Sequence, residues 1–179
     1  MPEESTPLLC PPDDLAAKLR VSATDARLLV ALRAASSRFR GAVRWQVHKV
    51  DTTILANGTG TRDMILRARD VTDVRTVQID GTTVEVEWDA DGTLMRSDGR
   101  LWPRGRRNIT VDLTYGFDPI PDDIAVAVQD QAEVVYNIIR GLSSKQVGGI
   151  TLSYGQAEAV GVSQGWVDAV ERYQLGGRA

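Results

Sequence analysis

The sequence contains one histidine and one cysteine among its 179 residues. A zinc site with the usual four His and Cys ligands cannot be built from that pair. Any imidazole acting beside a nucleophile would have to be His48. It stands between Val47 and Lys49, where it reads as a solvent-facing strand residue. Cys10 has no intrachain partner, which fits a protein made in a reducing cytoplasm. Long apolar runs are lacking too. Leu28-Leu29-Val30-Ala31-Leu32 is typical of those present, and a membrane span takes roughly 18 residues, so no membrane partner is expected. The start, Met1-Pro2-Glu3-Glu4-Ser5, has no basic stretch leading into an apolar one, so no secretory signal is expected. A basic excess is also missing: 21 Lys and Arg against 24 Asp and Glu leave a net charge of −3. Proteins that grip nucleic acid over a whole face carry the opposite balance. A local basic patch is the route that remains.

What is present falls into segments of different period. The first ten residues read as a loose arm. Pro11-Pro12-Asp13-Asp14-Leu15 opens a short helix, because proline suits the first turn and acids suit the positive end of the helix dipole. A second helix follows Ser22-Ala23-Thr24-Asp25, a Ser-x-x-acid start. Leu28, Leu29, Leu32, Ala35, Ser36, Phe39 and Val43 recur along it at helical spacing, and Gly41 is expected to close it. The small run Ala34-Ala35-Ser36-Ser37 would admit a second helix at close range.

From Trp45 to Tyr115 the period falls to two. Asn57-Gly58, Asp80-Gly81, Asp91-Gly92 and Asp98-Gly99 punctuate this stretch and supply the positive φ angles of tight hairpin turns. Helical spacing returns after Asp118-Pro119-Ile120-Pro121-Asp122-Asp123, with Ile124, Val128, Ala132, Val135 and Ile139 on one face. In the tail, Ile150, Leu152 and Tyr154 alternate as one strand, and Ser163 caps a short helix carrying Trp166, Val170 and Tyr173. The expected fold is α+β. A small bundle of three main helices carries an antiparallel β subdomain inserted between the second and third, plus an extended C-terminal segment. Residues 12–43 form the helical hairpin, 44–116 the β insertion, 119–141 the third helix and 142–179 the extension, all within one domain.

No catalytic constellation emerges. Asp13/Asp14 and Asp122/Asp123 are explained as helix starts, and Glu85, Glu87, Asp89 and Asp91 as the solvent face of a strand entering a turn. No acidic loop has calcium-binding spacing. Gly58-Thr59-Gly60-Thr61 lacks a following lysine and a helix, so it reads as a hairpin tip and not a phosphate cradle. No cofactor is expected. Charge is the uneven feature. Residues 96–107 carry five arginines against Asp98, residues 85–91 carry four acids, and residues 118–133 carry five acids with no lysine or arginine. Oppositely charged patches on one chain suit head-to-tail contact between identical subunits, which closes into a ring when the rotation permits.

The order of parts resembles that of the head-to-tail adaptor (connector, or head-completion) proteins of long-tailed bacteriophages, particularly those infecting actinobacteria. The resemblance spans residues 12–175. It rests on a long Arg/Ala/Leu helix ending near Arg44-Trp45 and on the run Leu101-Trp102-Pro103-Arg104-Gly105-Arg106-Arg107-Asn108-Ile109-Thr110-Val111. Thr114-Tyr115-Gly116-Phe117-Asp118-Pro119-Ile120-Pro121-Asp122-Asp123-Ile124 and Gly141-Leu142-Ser143-Ser144-Lys145-Gln146-Val147-Gly148-Gly149-Ile150-Thr151-Leu152-Ser153-Tyr154 complete it. The tail departs in being glycine-rich over 155–165. The resemblance implies a non-enzymatic virion protein at the portal vertex. Twelve copies would form a ring beneath the portal protein, extend the channel for passing double-stranded DNA and meet the stopper or tail-completion protein. Ile150, Leu152, Tyr154, Trp166 and Tyr173 are the expected contacts to the portal or a neighbouring subunit. Arg100, Arg104, Arg106, Arg107, Glu85 and Glu87 are the expected ring-contact or channel charges. The rival reading is a nucleic-acid-binding β-barrel module with flanking helices, using Trp88, Trp102 and the arginines.

Overall fold

The computed structural model describes residues 6–139, 144–147, 150–153 and 162–175. Along the chain lie α1 (Pro12–Leu19), α2 (Ala26–Val43), β1 (Val50–Gly58), β2 (Asp63–Ile65), β3 (Val71–Ile79), β4 (Thr82–Val84) and β5 (Val86–Trp88). They are followed by β6 (Thr93–Arg96), β7 (Gly105–Tyr115), α3 (Asp122–Ile139), β8 (Ser144–Val147), β9 (Ile150–Ser153) and α4 (Gln164–Tyr173). This is the expected α+β order, with an antiparallel β insertion between α2 and α3. None of these helices is long and apolar enough to cross a membrane. The chain divides into two units, Met1–Arg44 with Ile120–Ala179, and Trp45–Pro119.

The first unit is built on α2 packed against α3, with α1 and α4 laid on that pair. The helical stripe read from α2 is the buried one: Leu28, Leu32, Ala35, Ser36, Phe39 and Val43 face the core. Each large apolar side chain so buried contributes about 1.5–3 kcal/mol. Two local expectations are corrected. The cap of α2 is Asp25, whose carboxylate accepts from the Arg27 and Leu28 amides at 2.8 and 3.0 Å. Ser22 lies too early in the chain and instead shapes the turn before the helix through Thr24. Gly41 does not stop α2. The helix runs to Val43 and closes at Arg44 with φ 67, because buried Phe39 and Val43 outweigh the roughly 1 kcal/mol a mid-helix glycine costs. The N-terminal arm is not loose at its end either. Leu9 and Cys10 are buried, the Leu9 amide donates to the Ser36 hydroxyl at 3.2 Å, and Arg40 donates to the Pro7 carbonyl.

In the second unit β7 is the central strand of a four-stranded sheet ordered β1-β7-β3-β4, and β2-β6-β5 form a separate three-stranded sheet. Alternation along β7 puts Ile109, Val111 and Leu113 wholly in the core, with Val111 opposite Ile54 on one side and Val77 on the other. Asp80-Gly81 makes the expected tight hairpin, with φ of 47 and 81, the paired positive angles of a type I′ turn. Asn57-Gly58 does not. It ends β1, and the following Gly58-Thr59-Gly60-Thr61 stretch passes from one sheet to the other, so it is no hairpin tip. Val84, Val86 and Trp88 also belong to two strands of different sheets, since the pairing changes at Glu85. The rival β-barrel is therefore replaced by two open sheets.

Arg75 of β3 clamps the exposed face of the larger sheet. It reaches Asp112 of β7 at 2.9 Å and Asp51 of β1 at 3.0 Å, and Asp51 also accepts from the Thr114 hydroxyl. The Thr114 hydroxyl, then Arg75, hold the Asp51 carboxyl below the usual carboxylate range, and Arg75 does the same for Asp112. Carboxyls depressed on folding add stability above their unfolded pKa, about 3.9. That contribution is lost as pH falls through the folded values. The urea midpoint of the wild type is expected to drop more steeply between about pH 4 and pH 2 than that of Arg75→Met. Parallel curves would show that the clamp adds nothing to stability.

Candidate functional site

The basic loop between β6 and β7 is shaped from inside by Trp102. Its side chain is completely buried, its indole N–H donates to the Leu94 carbonyl at 3.2 Å, and its main-chain N–H donates to Thr61 at 2.9 Å. With Trp102 turned in, the preceding Leu101 is turned out, and it is 61% exposed. Arg96 is largely buried and bound to Asp98, while Arg100, Arg104, Arg106 and Arg107 are exposed. Arg96, then the Arg100 amide, hold the Asp98 carboxyl below its ordinary range. The loop base is pinned from β1. Asn57 Oδ1 accepts from the Arg107 amide at 2.7 Å, and Asn108 Oδ1 accepts from the Gly58 amide at 2.8 Å. A Cβ at Gly58 would lie 1.7 Å from the Pro103 carbonyl oxygen, so that close approach requires glycine. Four expected contact arginines are thus exposed within eight residues that also carry an exposed leucine. Glu85 and Glu87 are exposed as expected, Glu85 at the change of sheet and Glu87 on β5 opposite Met95.

A second surface lies in the helical unit, where α3 and α4 flank a groove of about 390 Å³. Val126 and Ala169 contribute to its apolar floor, and Asp122, Asp123, Asp130 and Asp168 to its rim. Two of these acids are engaged. Asp123 accepts from Arg172 at 2.8 Å and from the Tyr173 hydroxyl at 3.1 Å, and Lys18 reaches Asp130 at 3.0 Å. Asp122 and Asp168 carry no ion pair among the described residues. Val126 stands 54% exposed. Reading the sequence missed this groove. Its available signal was Val126, an apolar side chain off the buried stripe of α3 and spaced four from both Asp122 and Asp130.

The tail is divided in its roles. β8 and β9 form a two-stranded antiparallel ribbon, with Ile150 opposite Val147 and Leu152 opposite Lys145. Tyr154 lies outside the described residues. The final helix is capped by Ser163, which accepts from the Trp166 amide at 3.2 Å, as its sequence implied. Of the expected contact residues, two pack within the helical unit itself. Trp166 is buried edge-on against Phe39 at a centroid distance of 5.2 Å, with the Arg38 guanidinium 5.8 Å from its ring. Tyr173 is half-buried on Asp123. The reason is the helical period itself, since Trp166 and Ala169 share the face turned to the bundle.

His48 is half-buried and bridges Phe117, so it is not a freely solvent-facing strand residue. Among the described residues no group of three His, Cys, Asp or Glu side chains is placed to hold a metal ion. Burial, then the Asp14 charge, push the Cys10 thiol up to about 11, which leaves it unreactive at neutral pH. Trp102, one of two aromatics in the rival nucleic-acid reading, is unavailable for stacking because it is buried.

A family model described as head completion protein matches residues 16–164 of the chain. No curated protein matches it. Among solved structures, the chain is similar to one in the neck of an empty GTA particle computed with C6 symmetry. That match has 20% identity and a TM-score of 0.60, covering 96% of this chain and 94% of the other. It is also similar to a chain in the neck of the native GTA particle computed with C12 symmetry, at 20% identity and a TM-score of 0.56, covering 94% and 95%. A third similar chain, from the virion of the native gene transfer agent particle, has 21% identity and a TM-score of 0.58, covering 96% and 94%. At these identities the likeness establishes a shared fold.

Proposed function

We propose that this chain, which belongs to the head completion protein family, is a structural subunit of the head–tail joint of a phage-like virion. Copies of it, twelve to a ring, sit beneath the portal protein. The ring extends the channel through which double-stranded DNA passes without sequence recognition, and it presents a surface to the stopper or tail-completion protein. The observation that carries this reading is the family match over residues 16–164. Likeness to neck chains over nearly the whole length, one of them in a neck with C12 symmetry, supports the ring.

The residues agree with such a role. Arg100, Arg104, Arg106 and Arg107 are exposed in the β unit, and acids line the groove of the helical unit, opposite charges of the kind a head-to-tail ring contact uses. Where a ring leaves arginines facing the channel, they would meet DNA phosphates as a local, salt-sensitive attraction. Ile150 and Leu152 of the β8–β9 ribbon, with Tyr154 following in the sequence, are the residues we assign to the portal or a neighbouring subunit. A two-stranded ribbon by itself is marginal in water, and such a partner would stabilise it. Nothing in this role asks for a catalytic group.

Incubating the purified protein with portal-bearing, DNA-filled heads tests the reading. Electron microscopy is expected to show added ring density below the portal and improved retention of DNA. Heads that neither bind the protein nor gain density at that vertex would overturn it.

A further inference from the structure

The groove between α3 and α4 and the loop between β6 and β7 are complementary in two independent ways. The groove has an apolar floor in which Val126 is 54% exposed, and its rim carries four aspartates against one arginine. Two of those aspartates, Asp122 and Asp168, have no ion pair among the described residues. The loop offers an exposed apolar knob, Leu101, with Arg100 beside it and Arg104 and Arg106 close by in sequence. An exposed leucine bordered by cations fits an exposed valine bordered by anions.

We propose that the α3–α4 groove receives residues 100–107, the end of the β6–β7 loop and the start of β7, from a second copy of this chain. Leu101 seats against Val126, and the arginines meet Asp122 and Asp168. The contact is heterologous: each copy presents its loop to one neighbour and its groove to the other. Repeated with a closing rotation, such a contact yields a ring without a twofold interface. The charges select the partner and its register, and the desolvated Leu101–Val126 contact supplies the buried centre. Exposed ion pairs alone contribute little, so the knob is what distinguishes this contact from loose attraction between patches. The inference rests on the ring reading above and names the surfaces that close the ring.

Cysteine cross-linking in assembled particles tests it. Particles are made with full-length Leu101→Cys/Val126→Cys, Cys10 being buried and unreactive, then oxidised and run on a non-reducing gel. A ladder of covalent multimers is expected, and a mixture of the two single variants is expected to stop at dimers. A disulfide-bonded monomer, or no bond at all, would overturn the proposal. So would ring density at the neck with no ladder, and that outcome would leave the function reading standing. Absence of the wild-type protein from the neck would instead remove the reading beneath it.

Charge exchange gives a second readout. Asp122→Arg/Asp168→Arg is expected to reduce ring formation at least about tenfold, with recovery when Arg104→Asp/Arg106→Asp is added to the same chain. Loss without recovery would assign the groove to a different basic partner and overturn the proposal.

Discussion

Trp102→Ala is expected to lower the stability of the β unit by about 3–5 kcal/mol, read as a fall in the urea midpoint by far-ultraviolet circular dichroism. Trp102 is the largest completely buried side chain among the described residues, and removing it deletes the filler between its loop and β6. The same change removes the hydrogen bond that the indole donates to the Leu94 carbonyl at 3.2 Å. A hydrogen bond of this kind contributes about 0.5–1.5 kcal/mol. Trp102→Phe separates the two effects. It keeps most of the volume and loses the hydrogen bond, so its midpoint should fall between those of the wild type and the alanine variant. The loop should suffer with the sheet, because the inward turn of Trp102 is what presents Leu101 and the flanking arginines to solvent. Ring formation is therefore expected to fail in the alanine variant even where residual fold persists. An unchanged midpoint would mean that the loop is held by other means, and the shape argued for the basic loop would fall with it.

The elements themselves were largely legible. The α2 stripe from Leu28 to Val43 is the buried face because a helix core needs a continuous apolar seam and the sequence contains one. Asp80-Gly81 makes its hairpin because both positions adopt positive φ with small or polar side chains. The pairing of strands was not legible. Val84, Val86 and Trp88 alternate as one strand would, yet the sheet changes at Glu85, since each half closes a hairpin of its own, Val84 back onto Val77 and Val86 forward onto Arg96. Asn57-Gly58 has the same composition as a hairpin turn. There, however, the Asn57 side chain holds the Arg107 amide and Gly58 makes room for Pro103. A dipeptide's tolerance of tight geometry shows that such geometry is needed without showing which kind. The candidate surfaces divide along the same line. The arginine run is contiguous in sequence and visible as charge. The groove joins Asp122, Val126 and Asp130 to Gly165, Asp168 and Arg172, and two helices with 24 residues between them leave no local signature of their meeting.

Trp166→Ala is expected to cost the helical unit about 3–5 kcal/mol and to release α4 from α2. The tryptophan is buried edge-on against Phe39, an arrangement that adds about 0.5–1.5 kcal/mol beyond the area it buries. The end of α4 is tied as well, through the Leu175 amide to the Val43 carbonyl at 3.1 Å and through Arg172 to Asp123 at 2.8 Å. Those ties are surface-exposed or terminal and should not hold the helix once its aromatic contact is gone. Thermal unfolding followed at 222 nm checks the loss, and an unchanged midpoint would return α4 to the status of a free tail. The consequence for function is direct. Removing residues 150–179 strips Trp166 from a packed core, so failed assembly after that truncation would reflect unfolding as much as a missing contact. Ile150→Ser/Leu152→Ser is the discriminating variant, because it alters the β8–β9 ribbon and leaves α4 in place. It should keep the wild-type midpoint and lose binding to portal-bearing heads, whereas Trp166→Ala should lose both. If the double serine variant binds as the wild type does, the ribbon is not the segment that reaches the portal, and the contact must be sought on the helices.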